Sequence, residues 1–133
     1  MAAWRDVRRI ASSFPGVTEE TSASGTLSWA ANKKTFAWER PLRRSDIQAL
    51  GAAAPTGSVL ALRTEDLDMK DVLLGSVPDV FFTTPHFNGY PAILVRLDAI
   101  SIKDLKAALL DAWISRAPKR AVDAYLASAR RRR

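Results

Sequence analysis

Residues 80–97 read VFFTTPHFNGYPAILVRL, and this stretch predicts a β-hairpin. Two β-rich runs, residues 80–82 and 92–97, flank a loop that contains two prolines. Within that loop the Asn88-Gly89 pair favours a tight turn with a positive φ angle, which glycine adopts without a steric penalty. We therefore predict that two strands meet across this loop.

A second hairpin is predicted nearer the N-terminus, where the hydrophobic period changes. Apolar residues recur at helical spacing over residues 3–13, which predicts an amphipathic helix. Farther along the chain, apolar residues alternate with polar ones at every second position, as in a β-strand. Leu27 and Trp29 lie on one such strand, and Phe36 and Trp38 lie on the next. The three rings are expected to share a face of the sheet and to pack into the core. The alternative is an open platform on which bases stack.

Caps and chain breakers predict the remaining elements. Ser45 is expected to cap a short helix over residues 46–50, and Ser101 a longer helix that reaches Ala117. The further elements are a strand over residues 58–63, a helix over residues 65–74 and a last helix after Pro118. This order predicts a two-layer α+β domain, in which a five-stranded antiparallel sheet carries its helices on one face.

Several short motifs resemble the MmcQ/YjbR family of small bacterial proteins, which has a double-wing DNA-binding-like architecture. The motifs are residues 14–20 after the first helix, 34–37 in the second strand, 85–95 in the hairpin and 105–113 in the closing helix. The resemblance implies the order α-β-β-β-α-β-β-α, a fold similar to that of secretion chaperones, and DNA binding as the class of function. Ala112-Trp113 departs from the family's Ser-Tyr pair, and the basic end after Pro118 lies outside the shared pattern.

The composition excludes several classes of protein and site. The chain has 133 residues, a length that predicts one domain. It has no cysteine, which excludes disulfides, thiolate metal sites and cysteine nucleophiles. We assign residues 1–117 to the family-like part and residues 118–133 to a basic helical extension of the same domain. No stretch has the pattern of a membrane helix or a signal peptide. We therefore expect a cytoplasmic protein that does not bind membranes and is a monomer or a weak dimer.

The formal net charge of +6 is concentrated at the C-terminus. Residues 116–133 hold seven basic and one acidic side chain, which leaves 13 of each in residues 1–115. A second basic set, residues 33–44, surrounds the first hairpin with a net charge of +4. Phosphate binding requires cations on one surface. The predicted nucleic-acid-binding residues are Lys33, Lys34, Arg40, Arg43, Arg44, Arg116, Lys119, Arg120, Arg130, Arg131, Arg132 and Arg133.

Residues that carry chemistry are sparse. His86, the one histidine, has no nucleophile or set of metal ligands at a short spacing, so no catalytic residue is predicted. The acidic run over residues 65–71 lacks the glycine and distal glutamate of a calcium loop and is interpreted as a solvated helix turn. No glycine-rich phosphate-binding motif occurs. We expect neither a metal nor a cofactor.

The leading hypothesis is a non-catalytic protein that binds DNA through phosphate contacts, with weak sequence specificity. The alternative is a protein-interaction or small-ligand-binding module that uses the sheet face and the loop residues His86, Phe87 and Tyr90, with the basic end serving solubility. A third hypothesis, an enzyme, would need a carboxylate that converges on His86 in a pocket.

Overall fold

The computed structural model describes residues 2–131, which form one antiparallel sheet and five α-helices. The strands are β1 (Val17–Thr21), β2 (Leu27–Ala31), β3 (Lys34–Glu39), β4 (Val59–Arg63), β5 (Phe81–Phe82) and β6 (Ala92–Arg96). The helices are α1 (Trp4–Ser12), α2 (Arg44–Leu50), α3 (Leu67–Ser76), α4 (Ile102–Arg116) and α5 (Lys119–Arg131). Across the sheet the strand order is β1-β2-β3-β4-β6-β5. The α+β class predicted from the sequence is confirmed.

The sheet has six strands in the described residues, whereas five were predicted. The additional strand, β1, lies at the edge and pairs with β2 from Val17 opposite Ala31 to Thr21 opposite Leu27. Its last four residues are polar or charged and exposed, as is usual for an edge strand. Because no apolar alternation marks such a strand, the sequence pattern did not reveal it.

The predicted hairpin over residues 80–97 is confirmed, with a shorter first strand. β5 pairs with β6 through Phe81 opposite Val95 and Phe82 opposite Leu94. The loop contains a 3₁₀ turn, and Gly89 has a φ of +74°, as the Asn-Gly pattern predicted. The hairpin therefore rests on the turn chemistry that its loop sequence indicated.

The main core lies between one face of the sheet and helices α1 and α4. Trp29 and Phe36 from the sheet and Leu109 and Trp113 from α4 are fully buried there. Burying a side chain of this kind stabilises a fold by roughly 1.5–3 kcal/mol. The prediction that Trp29 and Phe36 pack into the core is confirmed.

A β-bulge in β3 determines which aromatic side chains share a face. Trp29 pairs with Ala37, while the next residue of β2 pairs with Thr35, so Phe36 is an extra residue without a partner. Phe36 and Ala37 both join the main core, and Trp38 packs against a separate apolar cluster. The expectation that Trp38 shares a face with Phe36 is wrong because of this bulge.

The separate cluster covers part of the opposite face of the sheet. Alternate residues of β4, Val59 and Ala61, point to it, while Leu60 and Leu62 point to the main core. The 3₁₀ turn over residues 85–87 and the end of α2 pack on this second cluster. The prediction that all helices pack on one face is therefore wrong, because β4 is apolar on both sides and α2 covers the second.

The helix caps agree with the sequence in one case and differ in another. Ser101 Oγ accepts a hydrogen bond from the N–H of Asp104 at 3.1 Å, as predicted. α2 begins earlier than predicted, so Ser45 lies inside it, and the carboxylate of Asp46 accepts the N–H of Arg43 at 2.9 Å instead. An acid in the first turn thus replaces the expected serine cap.

The acidic run before and within α3 has a structural role. Asp66 Oδ1 accepts the N–H of Met69 at 2.8 Å and so caps the helix, which begins at Leu67. Within residues 2–131, no three histidine or carboxylate side chains are grouped as a metal site would need. In the same part of the chain, none of the helices combines the length and the apolar character that crossing a bilayer requires.

Candidate functional site

The predicted basic residues are divided between the two ends of the sheet. Strand β3 begins at Lys34 and ends at Glu39, so Lys33 and Lys34 lie at its start while Arg40, Arg43 and Arg44 follow its end. Five strand steps of about 3.4 Å separate the two groups by roughly 17 Å. The set predicted around the first hairpin is therefore two sets at opposite ends of one strand.

The end of the sheet near Lys34 also receives the last turn of α4. Val17 pairs with Ala31, and Ala31 pairs with Lys34, so the start of β1 and the β2–β3 turn lie side by side. Pro15, two residues before β1, accepts a hydrogen bond from Trp113 Nε1 at 3.3 Å. Helix α5 begins a few residues after this point, and we call this end of the molecule, with Lys33, Lys34 and the bases of residues 116–131, the basic end.

Helix α5 is docked on the domain through one aromatic residue. The ring of Tyr125 meets the rings of Trp113 and Phe14 edge-on, with centroids 5.3 and 5.6 Å apart. Val122 is buried beside them. The apolar side of α5 therefore faces the core, and the helix carries its cations on the other side.

Most cations of the basic end face solvent. The exposed ones are Lys33, Lys34, Lys119, Arg120, Arg130 and Arg131. Arg116 is half-buried, and its Nε has no hydrogen-bond partner within the described residues. Arg132 and Arg133 were also predicted to bind nucleic acid and lie outside the residues that the structure describes.

The Lys33 side chain is carried on a turn of defined geometry. Asn32 and Lys33 have φ angles of +49° and +69°, and they connect β2 to β3 directly. Two successive positive φ angles are typical of a type I′ hairpin turn, whose twist matches that of the flanking strands. The turn thus projects two adjacent lysines from the end of the sheet at which α5 begins.

The opposite end of β3 forms one wall of an open cleft of about 870 Å³. The other wall is the hairpin loop, and the lining includes Trp38, Arg43, His86, Phe87, Asn88 and Tyr90. The three loop residues that the sequence singled out, His86, Phe87 and Tyr90, are therefore brought together here. We call this feature the aromatic cleft.

Phe87 is buried, whereas His86 and Tyr90 are exposed. The rings of His86 and Phe87 meet edge-to-face at 5.0 Å, and the guanidinium of Arg63 lies 4.9 Å from the ring centroid of Tyr90. Phe87 anchors the loop in the domain, and the side chains of His86 and Tyr90 lie exposed at the rim of the aromatic cleft. Within residues 2–131, His86 belongs to no group of three or more histidine or carboxylate side chains that could hold a metal ion.

Arg40 is used inside the domain rather than at its surface. It is 8% exposed, its Nη2 donates to Asp46 Oδ2 at 3.1 Å, and its guanidinium lies 5.4 Å from the ring centroid of Phe87. Burial raises the pKa of Asp46, but the N–H of Arg43 and the charge of Arg40 outweigh burial and hold that pKa below its ordinary value. Arg40 was predicted to contact phosphate, and the structure places its charge in an ion pair with Asp46 beneath the aromatic cleft.

Lys70 is a residue of this site that the sequence did not reveal. It is 5% exposed in α3, and its Nζ donates hydrogen bonds to the carbonyl oxygens of Phe87 and Tyr90, the latter at 2.9 Å. Burial lowers the pKa of Lys70, and the nearby carboxylate of Asp71 partly opposes that shift. Lys70 fixes both ends of the 87–90 loop, so the aromatic cleft is a preformed feature.

Comparison with known proteins gives relatives along the whole chain. No family model matches. Rv2570 of Mycobacterium tuberculosis and Mb2600 of Mycobacterium bovis, both described as uncharacterized, are each 44% identical over 131 residues, which cover 96% of this chain and 98% of theirs. The chain belongs to their family.

The crystal structure of the Deinococcus radiodurans protein DR2400, whose domain is described as DUF419, has a similar fold. It superposes with a TM-score of 0.63 at 18% identity, covering 86% of this chain and 78% of that one. At this level of identity the similarity establishes a shared α+β fold. The sheet and its helices are thus a known arrangement in bacterial proteins.

Proposed function

We propose that the chain is a cytoplasmic nucleic-acid-binding protein of the MmcQ/YjbR type, which contacts the phosphates of duplex DNA with its basic end. The proposal rests on one observation above all: Tyr125 packs on Trp113 and Phe14, so the cations of α5 are carried on a helix that contacts the core. Cations held on one surface neutralise several phosphates together and release the counterions around them.

The charge balance of the basic end supports this function. Residues 116–131 contain five bases against the single acid Asp123, and Lys33 in the β2–β3 turn and Lys34 at the start of β3 add two more. In the neighbouring α1 and β1, by contrast, Arg8 is paired with Glu19 at 2.9 Å. The excess positive charge is therefore concentrated on α5 and the turn.

Contacts of this kind predict weak sequence specificity. Lysine and arginine side chains on phosphates position a protein on the duplex, and sequence is read by groups that reach base edges. The described cations lie on a helix surface and a turn of only two residues, Asn32 and Lys33, between strands. Arg43 and Arg44, which the sequence added to the binding set, follow β3 at the other end of the sheet and are not included in the proposed surface.

A salt titration tests the proposal. Fluorescence anisotropy of a labelled duplex between about 50 and 200 mM salt should show affinity that falls steeply as salt is added. The slope of log affinity against log salt concentration should be roughly −0.9 per phosphate contacted. A chain that ends after Ala129 loses four arginines and keeps Tyr125, so it should stay folded and show a shallower slope. Absence of binding at low salt, or an unchanged slope in the shortened chain, would contradict the proposal.

A second candidate function is favoured by the aromatic cleft. Its loop is held by Lys70, and its rim offers His86 and Tyr90 next to the cation of Arg43. A preformed cleft with aromatic walls and a few polar groups is typical of a site for a small ligand or a peptide. An aromatic anion such as anilinonaphthalene sulfonate, followed by its fluorescence, should bind the chain that ends after Ala129 as well as the full chain. It should bind weakly to Tyr90→Ala, and unchanged binding to that variant would reject this candidate.

A further inference from the structure

A second, more enclosed cavity lies on the helix side of the sheet. It occupies about 230 Å³ between α3, α4 and the strands β4 and β6. Its apolar walls include Leu73 of α3, Ile93 of β6, and Ala108 and Ile114 of α4. We call it the α3–α4 groove.

The polar groups of the groove are acidic. Asp111 of α4 and Glu65, just before α3, line it together with the hydroxyl group of Ser115. Asp111 belongs to none of the ion pairs found within residues 2–131. Desolvation by the surrounding walls raises the pKa of Asp111, even though the side chain retains access to solvent.

Arg63 is the one base in the lining, and its charged group lies over Tyr90. Arg63 follows Leu62 on β4, and since Leu62 points to the helix side, Arg63 points to the opposite face. Its guanidinium lies over the ring of Tyr90, 4.9 Å from the centroid. The groove is therefore lined by two carboxylates, while the guanidinium of its one base lies over Tyr90.

We propose that the α3–α4 groove binds a small organic cation with an apolar body, such as an alkyl or aryl primary amine. The ammonium group would pair with the Asp111 carboxylate while the body contacts Leu73, Ala108 and Ile114, which are only partly buried. A dry cavity of about 150 Å³ accommodates benzene, so the groove has room for a ring with a short aminoalkyl arm. Met69, which is 41% exposed at the mouth, is a flexible side chain that adapts to different bodies.

Charge complementarity excludes the ligand classes of the other two sites. A phosphate or a carboxylate brought beside Asp111 and Glu65 would be repelled by the two carboxylates. The inference is therefore independent of the proposed DNA binding, and loss of DNA affinity in a basic-end variant leaves it unaffected.

The test compares three probes with the same ring and different charges. Chemical-shift titrations of the full chain near pH 7 with benzylamine, benzyl alcohol and phenylacetate should give tightest binding for benzylamine. A hydrogen bond to a charged group contributes more binding free energy than one between neutral groups. The affinity for benzylamine should therefore exceed that for benzyl alcohol by about tenfold or more. The shifted amides should be those of residues in α3, β4 and α4 that line the groove.

Three variants make the test specific. Asp111→Asn, a change at an exposed position, should reduce the affinity for benzylamine to that for benzyl alcohol. Asp104→Asn removes the same charge from the same helix outside the groove and should leave the preference intact. Ala108→Leu should fill the groove and weaken the binding of all three probes. Equal affinity for benzylamine and benzyl alcohol, a preference that survives Asp111→Asn, or binding unaffected by Ala108→Leu would each overturn the inference.

Discussion

Tyr125 of α5 and Trp113 of α4 meet edge-to-face, with their ring centroids 5.3 Å apart. The same tyrosine also packs on Phe14, at the end of the first helix, with centroids 5.6 Å apart. Three aromatic side chains that are far apart in the sequence therefore hold the last helix on the domain. The basic residues after Pro118 therefore belong to a helix that packs on the domain.

Removing the Tyr125 ring should destabilise the domain. Tyr125→Ala loses two aromatic contacts and part of the apolar area beneath α5, and we expect the free energy of unfolding to fall by about 2–3 kcal/mol. Urea denaturation followed by circular dichroism measures this change. Tyr125→Phe keeps the ring and is the matched control, with an expected change of less than about 1 kcal/mol. Equal stability of the alanine variant and the unmodified chain would show that α5 is not docked.

The ion pair beneath the aromatic cleft gives a second prediction. Asp46 is 2% exposed and Arg40 is 8% exposed, so Asp46→Ala leaves a buried guanidinium without its partner. Breaking a buried pair on one side costs about 3–5 kcal/mol, and we expect a loss of that size in the free energy of unfolding. The same change also removes the carboxylate that caps α2.

A double variant separates the charge from the packing. In Arg40→Met with Asp46→Asn both charges are gone, while the amide oxygen at position 46 still accepts the N–H of Arg43. Replacing both members of a buried pair is often close to neutral, so the double variant should lose less than about half of what Asp46→Ala loses. A double variant as unstable as the single one would show that the ion pair is not the cause.

The pH dependence of stability should contain a contribution from Glu19. Its Oε2 lies 2.9 Å from Arg8 Nη2, and its Oε1 accepts a hydrogen bond from Trp29 Nε1 at 3.0 Å. The hydrogen bond from Arg8 lowers the pKa of Glu19 below its ordinary value of 4.5, burial opposes this shift, and the bond from Trp29 reinforces it. Because the folded value is the lower one, the contribution is present above pH 4.5 and is lost as the pH falls through the folded value.

Glu19→Gln tests this assignment. The variant should be less stable than the unmodified chain at pH 7, and the difference should shrink as the pH is lowered below 4.5. Glu20→Gln, a neighbouring exposed position on β1, is the control and should follow the unmodified chain throughout. Urea midpoints measured at a series of pH values supply the comparison. A constant difference across the whole acidic range would assign the effect to something other than the ionisation of Glu19.

Elements marked by local patterns were predictable from the sequence. The hairpin over residues 80–97 follows from β-rich runs around Asn88-Gly89, and α4 from its Ser101 cap and apolar stripe. Strand β1 was not predicted, because an exposed polar edge strand has no hydrophobic period. The bulge at Phe36 was also missed, since a single extra residue reverses the alternation without leaving a mark in the composition.

The candidate sites depend on contacts between distant parts of the chain, and these limited prediction from sequence. His86, Phe87 and Tyr90 were recognised as one loop, but Lys70, which holds that loop, is 20 residues from Tyr90 and has the appearance of an ordinary helix lysine. Arg40 was grouped with surface cations although Asp46 pairs with it in the interior. Similarly, the separation of Lys33 and Lys34 from Arg43 and Arg44 follows from the length of β3.

Binding of duplex DNA by two matched variants tests the central claim most directly. Lys33→Asn with Lys34→Gln removes two charges from the basic end, and asparagine tolerates the positive φ at position 33. Arg43→Gln with Arg44→Gln removes the same charge from the opposite end of the sheet. In anisotropy titrations between about 50 and 200 mM salt, the lysine variant should lose roughly tenfold or more in affinity at the low-salt end, and the slope of log affinity against log salt should become shallower by about 1.8. The arginine variant should lose less than about twofold in affinity. Equal losses in the two variants, or full affinity in the lysine variant, would contradict the assignment of DNA binding to the basic end.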